Sequence, residues 1–293
     1  MIETRDLVKT FEGFRALDGL SLTVPRGAVY GLVGPNGAGK STVIRHLTGI
    51  YRQDSGTVTI DGQNVYENPE LKARVAYIPD DVFYYTQADI TDMMRFSKSI
   101  YKTFDEARFN KLRDAFGLPE HKQIRHLSKG MQKQAAFWLA IAQRPEVLIL
   151  DEPVDGLDPV MRRRVWGLLL EEVAETGATV LVSSHNLREL EDVCDHVGIV
   201  KGGKMLIERS LDELQENIVK LQLAYEGAER LPQGLEIMHR SDTGRLIQLI
   251  VRGRQEEVTE RIGATKPLFM DLVPLTLEEI FIYETGGEGS ENI

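Results

Sequence analysis

Short runs of aliphatic and β-branched residues recur along the chain at 20–24, 29–33, 57–60, 75–78, 147–150, 179–182 and 197–200. Turn residues such as Pro25-Arg26-Gly27 and Asp61-Gly62 punctuate them, so each is predicted to be a strand. Apolar positions at i, i+3 and i+4 predict helices over 41–48, 160–175 and 187–192. Strands alternating with helices imply an α/β fold whose largely parallel sheet is covered on its faces. The segment 2–60 is richer in strands and is expected to add an antiparallel layer.

Between residues 88 and 142 the strand pattern stops. The stretches 90–99, 105–116 and 128–142 all read as helices, which predicts a helical subdomain over about 85–143 and a lobe suited to facing a partner. After Gly202-Gly203 the texture changes again. Residues 235–238 and 246–251 flank Asp242-Thr243-Gly244 as a hairpin, and 256–262 and 277–283 read as helices. The predicted organisation is a main α/β domain over 1–210, a small C-terminal α+β domain over 211–285, and a disordered tail over 286–293.

Composition narrows the function classes. Hydrophobic residues make up 42% and charged residues 27%, an ordinary balance for a packed core. The net charge of −10 opposes general nucleic-acid binding, which depends on basic groups displacing counterions from phosphates. Cys194 is the single cysteine, which excludes an intrachain disulfide and fits a cytoplasmic setting; it reads as a small packing residue. The histidines lack metal-ligand spacing, and the first residues do not form a secretory signal. The longest apolar stretch, 135–142, is too short to span a bilayer.

The chemistry is concentrated in two motifs. Gly34-Pro35-Asn36-Gly37-Ala38-Gly39-Lys40-Ser41 matches G-x-x-x-x-G-K-[ST], between a predicted strand and a predicted helix. Gly37 and Gly39 let backbone N–H groups approach phosphate oxygens closely, and the helix start adds partial positive charge. Lys40 supplies a cation for the terminal phosphates and Ser41 a hydroxyl for Mg2+. The second motif is the apolar run 147–150 ending in Asp151-Glu152, which places two carboxylates at the C-terminal edge of the sheet. Asp151 is expected to hold Mg2+ and Glu152 to polarise the attacking water. Carboxylates at such a position call for a cation nearby. Together the motifs point to a P-loop NTPase using ATP and Mg2+.

Further residues carry a family resemblance. Leu127-Ser128-Lys129-Gly130-Met131-Gln132 resembles the ABC (ATP-binding cassette) signature, commonly LSGGQ, and Gly156-Leu157-Asp158-Pro159 resembles the D-loop. His185 resembles the switch histidine, and Phe11 aligns with the aromatic that stacks on adenine. Order and separation match an ABC nucleotide-binding domain over roughly 1–210, with no N-K-x-D motif of a GTPase. The resemblance implies nucleotide contacts from Phe11, Gly34, Asn36, Gly37, Gly39, Lys40, Ser41, Thr42, Ser128, Gly130 and Asp158. It implies catalysis by Glu152 and His185 with Lys40. It also implies head-to-tail pairing with a second copy or a paralogue, because Ser128 and Gly130 would close on a phosphate held by the other subunit.

The sequence departs from the family at several points. Lys129 and Met131 replace a Gly and a Gln of the signature, while Ser128 and Gly130 remain. Asp80 occupies the place of a glutamine that touches Mg2+; it is read either as a metal ligand or as a solvated turn acid. Phe11 either stacks on the base or packs in the β-layer, with Phe14 as the neighbouring candidate. The run Arg162-Arg163-Arg164 reads as a solvated face, since successive helix positions diverge.

The preferred biological reading is a bacterial ATPase on the cytoplasmic face of the membrane, energising a separate transmembrane permease that docks on the helical lobe. Phe83, Tyr84 and Tyr85 are either the receiving surface or core. The ending Leu275-Thr276-Leu277-Glu278-Glu279-Ile280-Phe281 is similar to one common in bacterial ABC-2-type exporter ATPases and favours export. The alternative is a non-transport ABC ATPase acting on ribosomes or DNA, which the single cassette, the lack of heptads and the acidic balance oppose.

Overall fold

The structure, a computed structural model, describes residues 1–226 and 231–284; the predicted tail 286–293 lies outside the described residues. The chain divides into two compact units. One comprises Met1–His185 with Val193–Glu208, the other Asn186–Asp192 with the chain from Arg209 onward.

The larger unit begins with β1 (Ile2–Phe11) and β2 (Phe14–Val24), antiparallel partners from Ile2↔Val24 to Phe11↔Phe14. There follow β3 (Val29–Val33), α1 (Lys40–Leu47), β4 (Ser55–Ile60) and β5 (Gln63–Asn64). Strands β2-β1-β4-β5 form the predicted antiparallel layer. Next come α2 (Pro69–Lys72), β6 (Val75–Ile78), α3 (Ile90–Ile100), α4 (Glu106–Phe116), α5 (Lys129–Ala142), β7 (Val147–Asp151), α6 (Pro159–Thr176) and β8 (Thr179–Ser184). After them, β9 (His196–Lys201) and β10 (Lys204–Ser210) complete a six-stranded sheet of order β10-β9-β3-β8-β7-β6. The β9-β3, β3-β8, β8-β7 and β7-β6 pairs are parallel. Every residue of β3, β7 and β8 is buried, which is why these strands read as continuous rather than alternating apolar runs.

Helix α1 sits between the two sheets. Val43, Ile44 and Leu47 share one core cluster with Leu17, Leu20 and Leu22 of β2, Leu32 of β3 and Ile149 of β7. Removing that apolar surface from water fixes the start of α1 against the end of β3, and so fixes the loop between them.

Helices α3, α4 and α5 form the strand-free lobe. The Trp138 indole stacks on Phe109 at 4.5 Å and on Phe116 at 6.0 Å, and its Nε1–H donates to the Phe109 carbonyl at 2.7 Å. Local signals set the helix ends: Asp89 with Asp92 in a capping box, Asp105 at the start of α4, and Gly117 at φ +60 after its end. The wholly buried Glu172 of α6 is held by Arg108 of α4 at 3.1 Å and by Arg144 at 2.9 Å. That ion cluster fastens the lobe to the sheet domain.

The smaller unit contains α7 (Leu211–Glu216), β11 (Ile218–Ala224), β12 (Glu236–Thr243), β13 (Leu246–Arg252), α8 (Gln255–Gly263), β14 (Phe269–Val273) and α9 (Leu277–Glu284). Its antiparallel sheet, order β12-β13-β11-β14, packs Val219, Leu221, Leu249 and Val251 against Val258 and Ile262 of α8. The expected helix over 187–192 is instead a 3-10 turn, Leu187–Glu189, and its segment belongs to this unit. Tertiary contacts override its helical periodicity: Glu191 accepts from the Leu277 N–H at 3.1 Å and Arg188 pairs with Glu278 at 2.7 Å. The Thr276-Leu277-Glu278-Glu279 ending also has a local cause. Thr276 and Glu279 cap each other reciprocally, and Glu279 accepts from Lys220 at 2.6 Å.

Candidate functional site

The P-loop joins the C-terminal end of β3 to the first turn of α1. Gly34 is required by close approach, since a Cβ there would lie 2.2 Å from the Val200 carbonyl oxygen. Gly37 and Gly39 are required by conformation, at φ +80 and +112. Asn36 is exposed, whereas Lys40 is buried to 6% exposure, and its Nζ donates to the Gly34 carbonyl at 2.6 Å. Ser41 and Thr42 follow on the first turn of α1, half-buried.

The parallel register sets β7 beside β8, Asp151 opposite Ser183. Asp151 Oδ1 accepts from Ser183 Oγ at 2.6 Å and from Ser41 Oγ at 3.2 Å. Among the described residues no basic side chain pairs with this buried carboxylate. A buried, charged oxygen donor joined to a hydroxyl and without a basic partner fits a small hard cation, which takes oxygen ligands. Tyr77, on the neighbouring β6, has its phenol pushed up to about 12 by burial and then by the charge of Asp151.

Glu152 lies one residue further, at φ +46, in the left-handed region that a non-glycine residue adopts at a cost. Its backbone N–H donates to Ser183 Oγ at 3.1 Å. Its Oε1 lies 3.4 Å from Lys40 Nζ and its Oε2 2.9 Å from His185 Nδ1. One carboxylate therefore touches both the P-loop lysine and the histidine at the end of β8. A carboxylate beside an ammonium and an imidazole is an arrangement able to orient a water and to neutralise phosphate charge.

The signature residues form the start of α5. Ser128 is its N-cap, accepting from the Met131 N–H at 3.3 Å, and a Cβ on Gly130 would come 3.1 Å from the Gly156 carbonyl. Asp158 caps α6, accepting from the Val160 and Met161 N–H groups at 3.0 Å each. Phe11 is 37% exposed and meets Tyr51 edge-on at 5.3 Å, while Phe14 is far more exposed.

Asp80 extends past β6 and pairs with Lys133 of α5 at 3.1 Å, a partner that its reading as a metal ligand did not include. The aromatic run divides: Phe83 and Tyr85 are exposed, but the Tyr84 hydroxyl donates to the Gln132 carbonyl at 2.8 Å. Arg163 and Arg164 are exposed as expected, though Arg164 also bonds the Ala115 carbonyl at 2.7 Å. Cys194 is buried, and burial pushes its thiol well above the ordinary range. Sequence reasoning missed Ser183, Tyr51 and Lys133. Only Ser183 had a signal, a polar residue closing a buried strand directly before Ser184-His185.

Comparison with known proteins agrees with this geometry. Residues 17–155 match the family model described as ABC transporter. The chain is 35% identical over 294 residues to the ABC transporter ATP-binding protein YtrB of Bacillus subtilis, covering 98% of this chain and 99% of that one. It is 35% identical to the daunorubicin/doxorubicin resistance ATP-binding protein DrrA of Streptomyces peucetius, over 76% of this chain and 70% of that one. A solved ATP-binding subunit of an ABC transporter superposes with a TM-score of 0.68 at 29% identity, covering 73% of this chain and 92% of that one. The doubly covered sheet, the phosphate loop and the full-length relative lead to one conclusion: the chain belongs to the ATP-binding proteins of ABC transporters and is an ATPase.

Proposed function

We propose that this chain powers a separate membrane-embedded permease by binding Mg-ATP between two cassettes and hydrolysing it. The observation that carries the reading is the meeting of Lys40 and His185 on the Glu152 carboxylate, beside the Ser41–Asp151 pair. Lys40 and the P-loop N–H groups would hold the phosphates, and Phe11 with Tyr51 would flank the base. Ser41 and Asp151 would hold Mg2+, which when bound neutralises phosphate charge. Glu152 would accept the proton of the attacking water, with His185 orienting the carboxylate. Ser128 and Gly130 would contribute to the site of the facing subunit, so that head-to-tail pairing completes both sites.

No helix among the described residues is long and apolar enough to cross a membrane. A cleft of about 460 Å3 lies between the end of β6 and the helical lobe, lined by Val82, Phe83, Met93, Phe96, Tyr101 and Leu139. Burying an exposed aromatic such as Phe83 there would stabilise docking by about 1.5–3 kcal/mol. Export is favoured over import by the resistance role in DrrA's name.

Sedimentation with Mg-ATP and detergent extraction from membranes test both halves. The expected result is a nucleotide-dependent dimer and co-purification of a multi-helix membrane protein that Phe83→Ala weakens. A chain that stays monomeric at saturating Mg-ATP while hydrolysing at a rate independent of its concentration would overturn the pairing.

A further inference from the structure

Lys133 is a lysine almost without solvent contact: its side chain is 8% exposed on α5, one turn beyond the signature residues Lys129 and Gly130. Its Nζ donates to two acceptors on different elements. One is the main-chain carbonyl of Glu152, at 2.8 Å; the other is Asp80 Oδ1, at 3.1 Å. Neither bond is a routine helix contact, and burying an ammonium is costly unless its partners are well placed.

The Glu152 carbonyl is a consequential place for a charged donor. The residue holds a left-handed backbone, φ +46, so surrounding contacts must impose its conformation. Its N–H is fixed by Ser183 and its carbonyl also receives the Asp155 N–H at 3.3 Å. Lys133 adds a charge-assisted bond, stronger than a neutral one. The orientation of that peptide determines where the Glu152 carboxylate points. The same turn of α5 is tied to the loop after β6 by a second bond, from the Tyr84 hydroxyl to the Gln132 carbonyl.

We infer that Lys133 is a positioning residue for hydrolysis: it holds the Glu152 peptide in register with the signature helix and, through Asp80, with the loop carrying Phe83 and Tyr85. The inference rests on Glu152 acting as the base. Under head-to-tail pairing, α5 grips a phosphate bound by the facing subunit while its Lys133 steadies the base of its own subunit. Movement of α5 at one ATP is thereby passed to the chemistry at the other. Asp80 stands where the family has a neutral glutamine, and it supplies the countercharge that keeps the Lys133 head aimed between the two acceptors.

The test is ATPase kinetics of the full chain carrying Lys133→Met, Lys133→Arg and Glu152→Gln, singly and with Lys133→Met added to Glu152→Gln. Lys133→Met is expected to lower kcat about 10- to 100-fold, the span for misplacing a catalytic group by about an ångström, with KM for ATP changed less than about twofold. Lys133→Arg should recover much of the loss because it keeps donors at both acceptors. In the Glu152→Gln background, Lys133→Met should cost nothing further, since coupled residues are not additive. Losses that multiply in the double variant, or Lys133→Met at wild-type kcat, overturn the inference while leaving Glu152 as base. Wild-type turnover by Glu152→Gln instead overturns the reading beneath it.

Discussion

His185 Nδ1 lies 2.9 Å from Oε2 of Glu152, while Oε1 of the same carboxylate lies 3.4 Å from Lys40 Nζ. The two contacts come from the same flank of β7: His185 from the end of the adjacent β8, and Lys40 from α1 after β3, the next strand along. Together with the His185 backbone N–H, which also donates to Oε2 at 3.3 Å, they orient the carboxylate. Glu152→Gln keeps the size and loses the basicity. It is expected to bind ATP normally, to hydrolyse it about 10²- to 10⁴-fold more slowly, and to accumulate as a nucleotide-bound dimer in size-exclusion chromatography. Chelating Mg2+ should stop turnover in the unaltered protein.

Phe11 and Tyr51 meet edge to face at 5.3 Å on the rim of the phosphate-loop unit. If they flank the base, Phe11→Ala should weaken ATP binding by about 1 kcal/mol, roughly fivefold. Phe14→Ala should leave it unchanged, because Phe14 is 68% exposed and makes no comparable ring contact among the described residues. Titration with a fluorescent nucleotide distinguishes the two, and equal losses would remove Phe11 from that role.

The Glu172 carboxylate is wholly buried between Arg108 and Arg144. Glu172→Gln leaves two guanidinium groups facing a neutral amide, and removing one member of a buried ion cluster costs about 3 kcal/mol or more. Chemical denaturation should show that loss as a lower midpoint. A shift below about 0.5 kcal/mol would mean that solvent reaches the cluster.

His46, in α1, donates from Nδ1 to the Thr42 carbonyl at 2.7 Å and faces Lys9 and Asp54. Burial, with Lys9 nearby, holds its imidazole below the ordinary value of 6.5 despite that hydrogen bond and Asp54. Below 6.5 the unfolded chain takes up a proton that the folded imidazole refuses, so the unfolded state binds more protons. Stability therefore falls as pH drops from 6.5 toward the depressed folded value, and levels off beneath it. His46→Gln should flatten the melting-temperature profile between about pH 7 and 5. An unchanged slope would rule out His46 as its source.

Much of the sheet domain was legible along the chain because local rules and tertiary fate agree there. Strands β3, β7 and β8 are buried on both faces and read as unbroken apolar runs. Asp105, Ser128 and Asp158 cap their helices from the residues directly before them. The segment 187–192 failed because its side chains are claimed by α9 rather than by a helix of its own. The pairing of Asp80 with Lys133 was not legible along the chain because the two are 53 residues apart.

By itself the sequence determined the phosphate loop, the carboxylate pair behind it and the family, since these depend on contiguous residues whose spacing the backbone enforces. Only the tertiary structure decided which groups meet: Ser183 with Asp151, Tyr51 with Phe11, and Lys133 with both Glu152 and Asp80. The Ser183 and Lys133 pairings arise from strand register and from the packing of α5 against the sheet domain, where residues distant in sequence are brought within hydrogen-bonding distance by burial elsewhere in the core.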